Sequence, residues 1–102
     1  MVFNLGNNNA LSEDTVIDIF EIVKNQPQII VVNTAVPRAW KDSNNAIISK
    51  VASRYPNVKV VDWDRISKGR PELFAPDGVH LSPAGSDVYV DLVLSVLDKT
   101  SA

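Results

Sequence analysis

The chain contains one histidine, His80, and an aspartate, Asp77, three residues before it. An imidazole is the side chain whose ordinary pKa lets it take up and return a proton near neutral pH. A turn through Gly78 can bring the Asp77 carboxylate beside one ring nitrogen, fixing the tautomer and stabilising the imidazolium while the other nitrogen acts as base. Nine of the 102 residues are aspartate, so the spacing alone is a weak signal. Its context strengthens it, because Asp77-Gly78-Val79-His80-Leu81-Ser82-Pro83-Ala84-Gly85 runs straight into a helix that would hold the pair rigidly.

The elements that must position this pair are legible in the hydropathy pattern. Met1-Val2-Phe3-Asn4-Leu5 reads as a strand stopped by the turn-forming cluster Gly6-Asn7-Asn8-Asn9. Ser12 offers an N-cap for a helix to about Lys24, with Val16, Ile19, Phe20 and Val23 on one stripe, and Pro27 prevents its continuation. Ile29-Ile30-Val31-Val32-Asn33 is apolar on both faces and β-branched, the pattern of a central parallel strand. After Pro37-Arg38-Ala39-Trp40, Asp42 or Ser43 caps a helix to about Arg54, whose inner face is Ile47, Ile48, Val51 and Ala52.

Val58-Lys59-Val60-Val61-Asp62 makes a third strand, and a long loop carries the chain from Trp63 to Leu81. Ser82-Pro83 opens a last helix that is apolar nearly all round from Val88 to Leu97, except for Asp91 and Ser95, and therefore reads as well buried. The alternation predicts an α/β fold, a three-layer α/β/α parallel sheet with about three strands and three main helices. It forms a single domain over residues 1–102, without repeats or linkers.

Composition narrows the function. An 11.2 kDa chain with 45% hydrophobic and 22% charged residues is an ordinary globular domain. Folding would hide roughly 65% of the unfolded chain's surface, enough for a small core. Ten basic against twelve acidic side chains, with a pI near 5.2, give no electrostatic footprint for nucleic acid or anionic lipid. The absence of cysteine removes disulfides, thiolate metal sites and thiol nucleophiles but leaves the compartment open. The sequence as written predicts neither a membrane span nor a secretory signal.

In open parallel sheets, ligands bind beyond the carboxyl ends of the strands. Three polar clusters fall there: Gly6 to Asn9, Asn33 to Trp40, and Asp62 to His80. The Asp77-x-x-His80 block before the last helix resembles that of the SGNH hydrolases and acyltransferases, and Gly6-Asn7-Asn8 resembles their Gly-x-Asn block. Val32-Asn33-Thr34-Ala35-Val36-Pro37-Arg38-Ala39-Trp40, followed by Asn44-Asn45 and Val61-Asp62-Trp63, is similar to the extracytoplasmic domain of bacterial peptidoglycan O-acetyltransferases. The stretches span nearly all 102 residues but match only the C-terminal part of such a domain, an incomplete flavodoxin-like sheet.

The resemblance implies acyl transfer to or from a hydroxyl of an acyl ester or carbohydrate, without cofactor or metal. His80 would be general base and acid, Asp77 would orient it, and Asn8 would stabilise the oxyanion. Gly6, Asn33, Arg38 and Trp40 are the candidate substrate contacts. The family's Gly-Asp-Ser block on the first strand, and a further oxyanion Gly after the second, have no counterpart here, so the chain is expected to lack its nucleophile and to be inactive alone. Ser86 has no preceding strand to form a nucleophile elbow, and Ser12, Ser43 and Ser82 read as helix caps.

Other residues admit two readings. Trp40 and Trp63 either form a sugar-facing wall or pack internally. Arg65, Lys68 and Arg70 read first as a solvated loop, with an anionic polymer as the alternative. Two rival functions stay open: a non-catalytic binding or assembly module, and a metal- or phosphate-handling domain using Asp62, Asp64 and Asp77. The Met1-to-Leu5 strand, left at a sheet edge though its residues suit an interior, predicts either a homo-oligomer or cover by a missing upstream segment. Membership of a membrane-anchored acyltransferase would make the location extracytoplasmic.

Overall fold

The computed structural model describes residues 1–7 and 9–101, with side chains through residue 97. Its centre is strand β2, Ile29–Val32, in which all four side chains are buried. Strands β1 (Val2–Asn4) and β3 (Val58–Val61) flank it, both parallel to it, with Val31 opposite Phe3 on one side and Val60 on the other. Side chains alternate across a strand, so Ile29 and Val31 serve one face of the sheet while Ile30 and Val32 serve the other.

Helices α1 (Glu13–Val23) and α2 (Lys41–Ala52) cover the first face. Val16 and Phe20 of α1 meet Ile48, Val51 and Ala52 of α2 over Ile29 and Val31. Phe20 presents its ring edge-on to Phe3 and Tyr55, with centroids 6.3 and 5.4 Å away. Each such buried side chain stabilises the fold by roughly 1.5–3 kcal/mol. Ser12 caps α1 as expected, its Oγ accepting the Thr15 N–H at 3.1 Å.

The second face is covered by α3 (Trp63–Ser67), a 3₁₀ turn (Pro71–Leu73) and α4 (Pro83–Ser101), which pack Trp63, Leu73, Val88, Tyr89, Leu92 and Val93 over Ile30, Val32 and Val61. The molecule is therefore a small three-layer α/β/α domain with a parallel sheet. Among the described residues no helix is long and apolar enough to cross a membrane.

Three local expectations are corrected. The segment from Trp63 to Leu81 is not a plain loop: the Asp62 carboxylate accepts the Arg65 N–H at 3.1 Å and starts α3, and Pro71 opens the 3₁₀ turn. Helix α2 begins at Lys41, with Trp40 as an N-cap that makes no side-chain bond, so Asp42 and Ser43 lie inside it rather than capping it. The turn ahead of it feeds directly into the helix, with Lys41 N–H donating to Arg38 O and Asn44 N–H to Trp40 O. Finally, α4 is not well buried all round, because Val90 and Leu94 remain 52% and 50% exposed on the side turned away from the sheet core.

Candidate active site

Asp77 and His80 sit on the connection between the 3₁₀ turn and α4, a loop closed on itself by backbone bonds. Ala75 N–H donates to His80 O at 2.8 Å, Gly78 N–H to Ala75 O at 2.9 Å, and Ser82 N–H to Leu73 O at 3.0 Å. Gly78 takes φ +70°, a left-handed conformation that suits glycine at the tip. Ser82 fastens the exit, its hydroxyl donating to Glu72 O at 2.6 Å and accepting the Gly85 N–H at 3.1 Å, which also caps α4. A Cβ on Gly85 would stand 1.8 Å from the Leu73 carbonyl oxygen, so only glycine lets α4 start this close to the 3₁₀ turn.

Within this loop Asp77 Oδ2 lies 2.5 Å from His80 Nδ1, and Oδ1 accepts the backbone N–H groups of Val79 and His80 at 2.9 and 3.0 Å. The His80 hydrogen bond, and then those two N–H groups, hold the Asp77 carboxyl down at about 2. A carboxylate that stays charged on Nδ1 places the proton there and turns Nε2 outward as acceptor. The His80 side chain is 81% exposed, so a substrate can reach that nitrogen.

His80 lines a pocket of about 270 Å³ with Asn4 at the end of β1, Asn7 of the loop that follows, and an aromatic wall of Trp63, Phe74 and Tyr89. Trp63 packs against Tyr89 at 5.2 Å and Phe74 at 6.1 Å. The wall thus pairs Trp63 with Phe74 and Tyr89, not with Trp40, which lies outside this lining. Phe74 and Tyr89 come from separate elements, and no local spacing announces them. Among the described residues no serine or threonine lines the pocket.

The other candidates separate. Asn8 lies outside the described residues. Gly6 is buried with φ +101°, its ideal Cβ position 3.2 Å from Thr34 Cγ2, and it shapes the loop without lining the His80 pocket. Asn33, a candidate substrate contact, uses its amide internally: Nδ2 donates to Asp62 Oδ1 at 3.0 Å and Oδ1 accepts the Asp64 N–H at 3.1 Å. Arg38 lines a neighbouring cleft of about 520 Å³ rather than this pocket.

The metal-handling alternative loses its ligand set. Asp62 is committed to Asn33 and Arg65, Asp64 binds the Lys41 ammonium at 3.0 Å, and Asp77 is committed to His80. Among the described residues no three acidic or histidine side chains group to hold an ion.

Two residues that the motif pattern left without a role prove to be clamps. Asn44 is wholly buried; its Nδ2 donates to Gly6 O at 3.1 Å and Asn9 O at 2.8 Å, and its Oδ1 accepts the Leu11 N–H at 2.8 Å. Asn45 grips Thr34 from both sides, accepting its N–H at 3.0 Å and donating to its carbonyl at 2.8 Å. The signal in the sequence was two adjacent amides at the start of an otherwise amphipathic helix.

Fold and site together define a small α/β domain with a hydrogen-bonded Asp-His pair at the carboxyl end of a parallel sheet. No family model matches the chain. Over 97% of its length it is 43% identical to the peptidoglycan O-acetyltransferase OatA of Listeria monocytogenes, and over 96% it is 35% identical to the O-acetyltransferase OatA of Staphylococcus aureus. The chain spans 16% of the length of each of these relatives. It is a homologue of one segment of the peptidoglycan O-acetyltransferases, as the resemblance in its motifs implied.

Proposed function

We propose that this chain supplies the acid-base part of an SGNH-type site that transfers acetyl groups to or from cell-wall carbohydrate. The carrying observation is the Asp77–His80 pair, whose histidine borders a pocket beyond a parallel sheet in a chain homologous to named O-acetyltransferases. In this reading His80 Nε2 takes the proton of a hydroxyl as that oxygen bonds to the acetyl carbonyl carbon. The carbonyl electron pair moves onto its oxygen, where the Asn8 amide donates to the oxyanion. Collapse breaks the bond to the donor alcohol, which leaves with the proton from His80. A sugar hydroxyl or water then takes the acetyl group by the same two steps. Asp77 stabilises the transient imidazolium.

Because the His80 pocket has no serine or threonine in its described lining, the attacking hydroxyl in this reading comes from outside these 102 residues. The test compares acetyl-ester hydrolysis and transfer to a sugar oligomer for three proteins: the chain alone, the chain joined to a segment bearing a Gly-Asp-Ser block, and the His80→Ala form of the joined protein. The first should stay at the buffer rate, the second should turn over, and the third should lose about a thousandfold or more. Turnover by the chain alone, or a joined protein indifferent to His80→Ala, would sink the proposal. A second reading, a non-catalytic assembly module, draws on the same lining and on the open β1 edge. It is favoured if the joined protein is inert yet self-associates.

A further inference from the structure

We propose that the 520 Å³ cleft beside the His80 pocket binds an anionic oxygen group, carboxylate or phosphate, carried by the carbohydrate acceptor; this rests on the acyl-transfer reading above. Four cations, Arg38, Lys41, Lys68 and Arg70, line the cleft against one carboxylate, Asp64, in a chain whose formal net charge is -2. The Lys41 ammonium is already matched, lying 3.0 and 3.2 Å from the two Asp64 oxygens. The other three are less closely matched. The Arg38 guanidinium donates to the neighbouring Pro37 carbonyl at 3.1 Å, Arg70 makes only a long ion pair with Glu72 at 3.8 Å, and Lys68 has no carboxylate partner among the described residues.

These cations are carried on a built turn. Gly69, at φ +74°, reverses the chain between Lys68 and Arg70 so that both border the cleft, and Arg70 N–H donates to Ser67 O at 3.0 Å. Buried Ser67 anchors the turn, its hydroxyl donating to Trp63 O at 2.7 Å. Arg38 faces in from the connection between β2 and α2. Guanidinium groups suit planar oxyanions because they donate two parallel hydrogen bonds. The cleft and the His80 pocket share Ala35, Val36 and Phe74, so an acceptor lying across Phe74 places its anionic group among the cations while a hydroxyl reaches His80.

The test titrates the full 102-residue chain with an N-acetylglucosamine oligomer and with its carboxylated and phosphorylated counterparts, following backbone amide resonances. The expected result is about tenfold tighter binding of an anionic oligomer than of the neutral one, weakening with salt. Shifts should centre on Arg38 and residues 68–70, and the preference should vanish in Lys68→Ala/Arg70→Ala while the His80 amide resonance of the free protein stays in place. Whichever anionic oligomer binds tighter identifies the group. Equal affinity for neutral and anionic oligomers, or a preference that survives the double substitution, overturns the cleft. If the neutral oligomer still shifts His80, that result leaves the acyl-transfer reading intact, which His80→Ala in the joined protein tests separately.

Discussion

Asn44 holds Gly6 by its carbonyl at 3.1 Å across 38 positions of sequence, tying the loop after β1 to the first turns of α2. The same amide also binds Asn9 O and Leu11 N–H, so one buried side chain holds the chain after β1 at three points. Replacing it with leucine fills similar space but strands two carbonyls and one N–H. Buried groups left unpaired cost about 1–3 kcal/mol each, less where water reaches them. Asn44→Leu should therefore lose about 2–4 kcal/mol in urea unfolding and speed hydrogen exchange at the Leu11 amide. Unchanged exchange there would show that the clamp does not position the loop.

Asp77 makes stability depend on acid in a definite direction. Its folded value, about 2, lies below the ordinary 3.8, so the unfolded chain takes up the proton first. Its contribution is complete above the ordinary value and is lost as pH falls through about 2. A carboxyl-carbon NMR titration should find this midpoint. In His80→Ala it should move back toward 3.8 but stop short, because the Val79 and residue-80 N–H groups still bind Oδ1. A midpoint near 3.8 in the unaltered chain would contradict the pairing.

Gly85→Ala sets two effects against each other. Alanine gains about 1 kcal/mol of helix propensity over glycine. Its Cβ, however, would lie 1.8 Å from a backbone oxygen that cannot swing aside as a side chain would. Overpacking of this kind typically costs 1–3 kcal/mol, and backbone contact places it at the upper end. Net destabilisation of about 1–2 kcal/mol is expected, read from the shift in the urea midpoint. A stabilised variant would mean that α4 can lift from the 3₁₀ turn freely.

The two edges of the sheet differ in protection. β3 carries an exposed lysine, Lys59, whereas β1 has no charged side chain and leaves Met1 and Val2 49% and 42% exposed. An uncharged edge with free backbone groups is a template for pairing. Sedimentation equilibrium should show mass rising with concentration toward a dimer, and Val2→Lys should suppress the rise. A monomer persisting at high concentration would remove the edge from consideration as a contact between copies.

Sequence legibility followed how local each determinant was. The Ile29–Val32 strand, the Ser12 cap and the Asp77–His80 pair are encoded within a few residues, and each was readable directly. Five-residue α3 is too short for a periodic signal, and only the cap at Asp62 marks it. The aromatic wall joins Trp63 of α3, Phe74 just after the 3₁₀ turn and Tyr89 of α4, a tertiary fact with no sequence spacing. Asn33 ends a strand among polar residues, which in the sequence suits a ligand contact; its bonds to Asp62 and Asp64 depend on β3 lying alongside and have no local signal. Val90 and Leu94 misled for the opposite reason, since an all-round apolar helix gives no sign of which side will stay uncovered.

The self-closed loop around His80 also sets an order of assembly. The side-chain and backbone bonds that shape it, from Gly78 to Ala75 through Ser82 to Glu72, span ten residues or fewer. The loop after β1 depends on bonds from Asn44 that span 33 to 38 residues. Contacts of short sequence separation close early, while distant ones wait for the intervening chain to be organised. The Asp77–His80 pair can thus reach its geometry before α2 docks, whereas the loop after β1 comes into register only when α2 is seated. Under mild denaturation the order is expected to reverse, the loop after β1 loosening before the loop that carries Asp77 and His80.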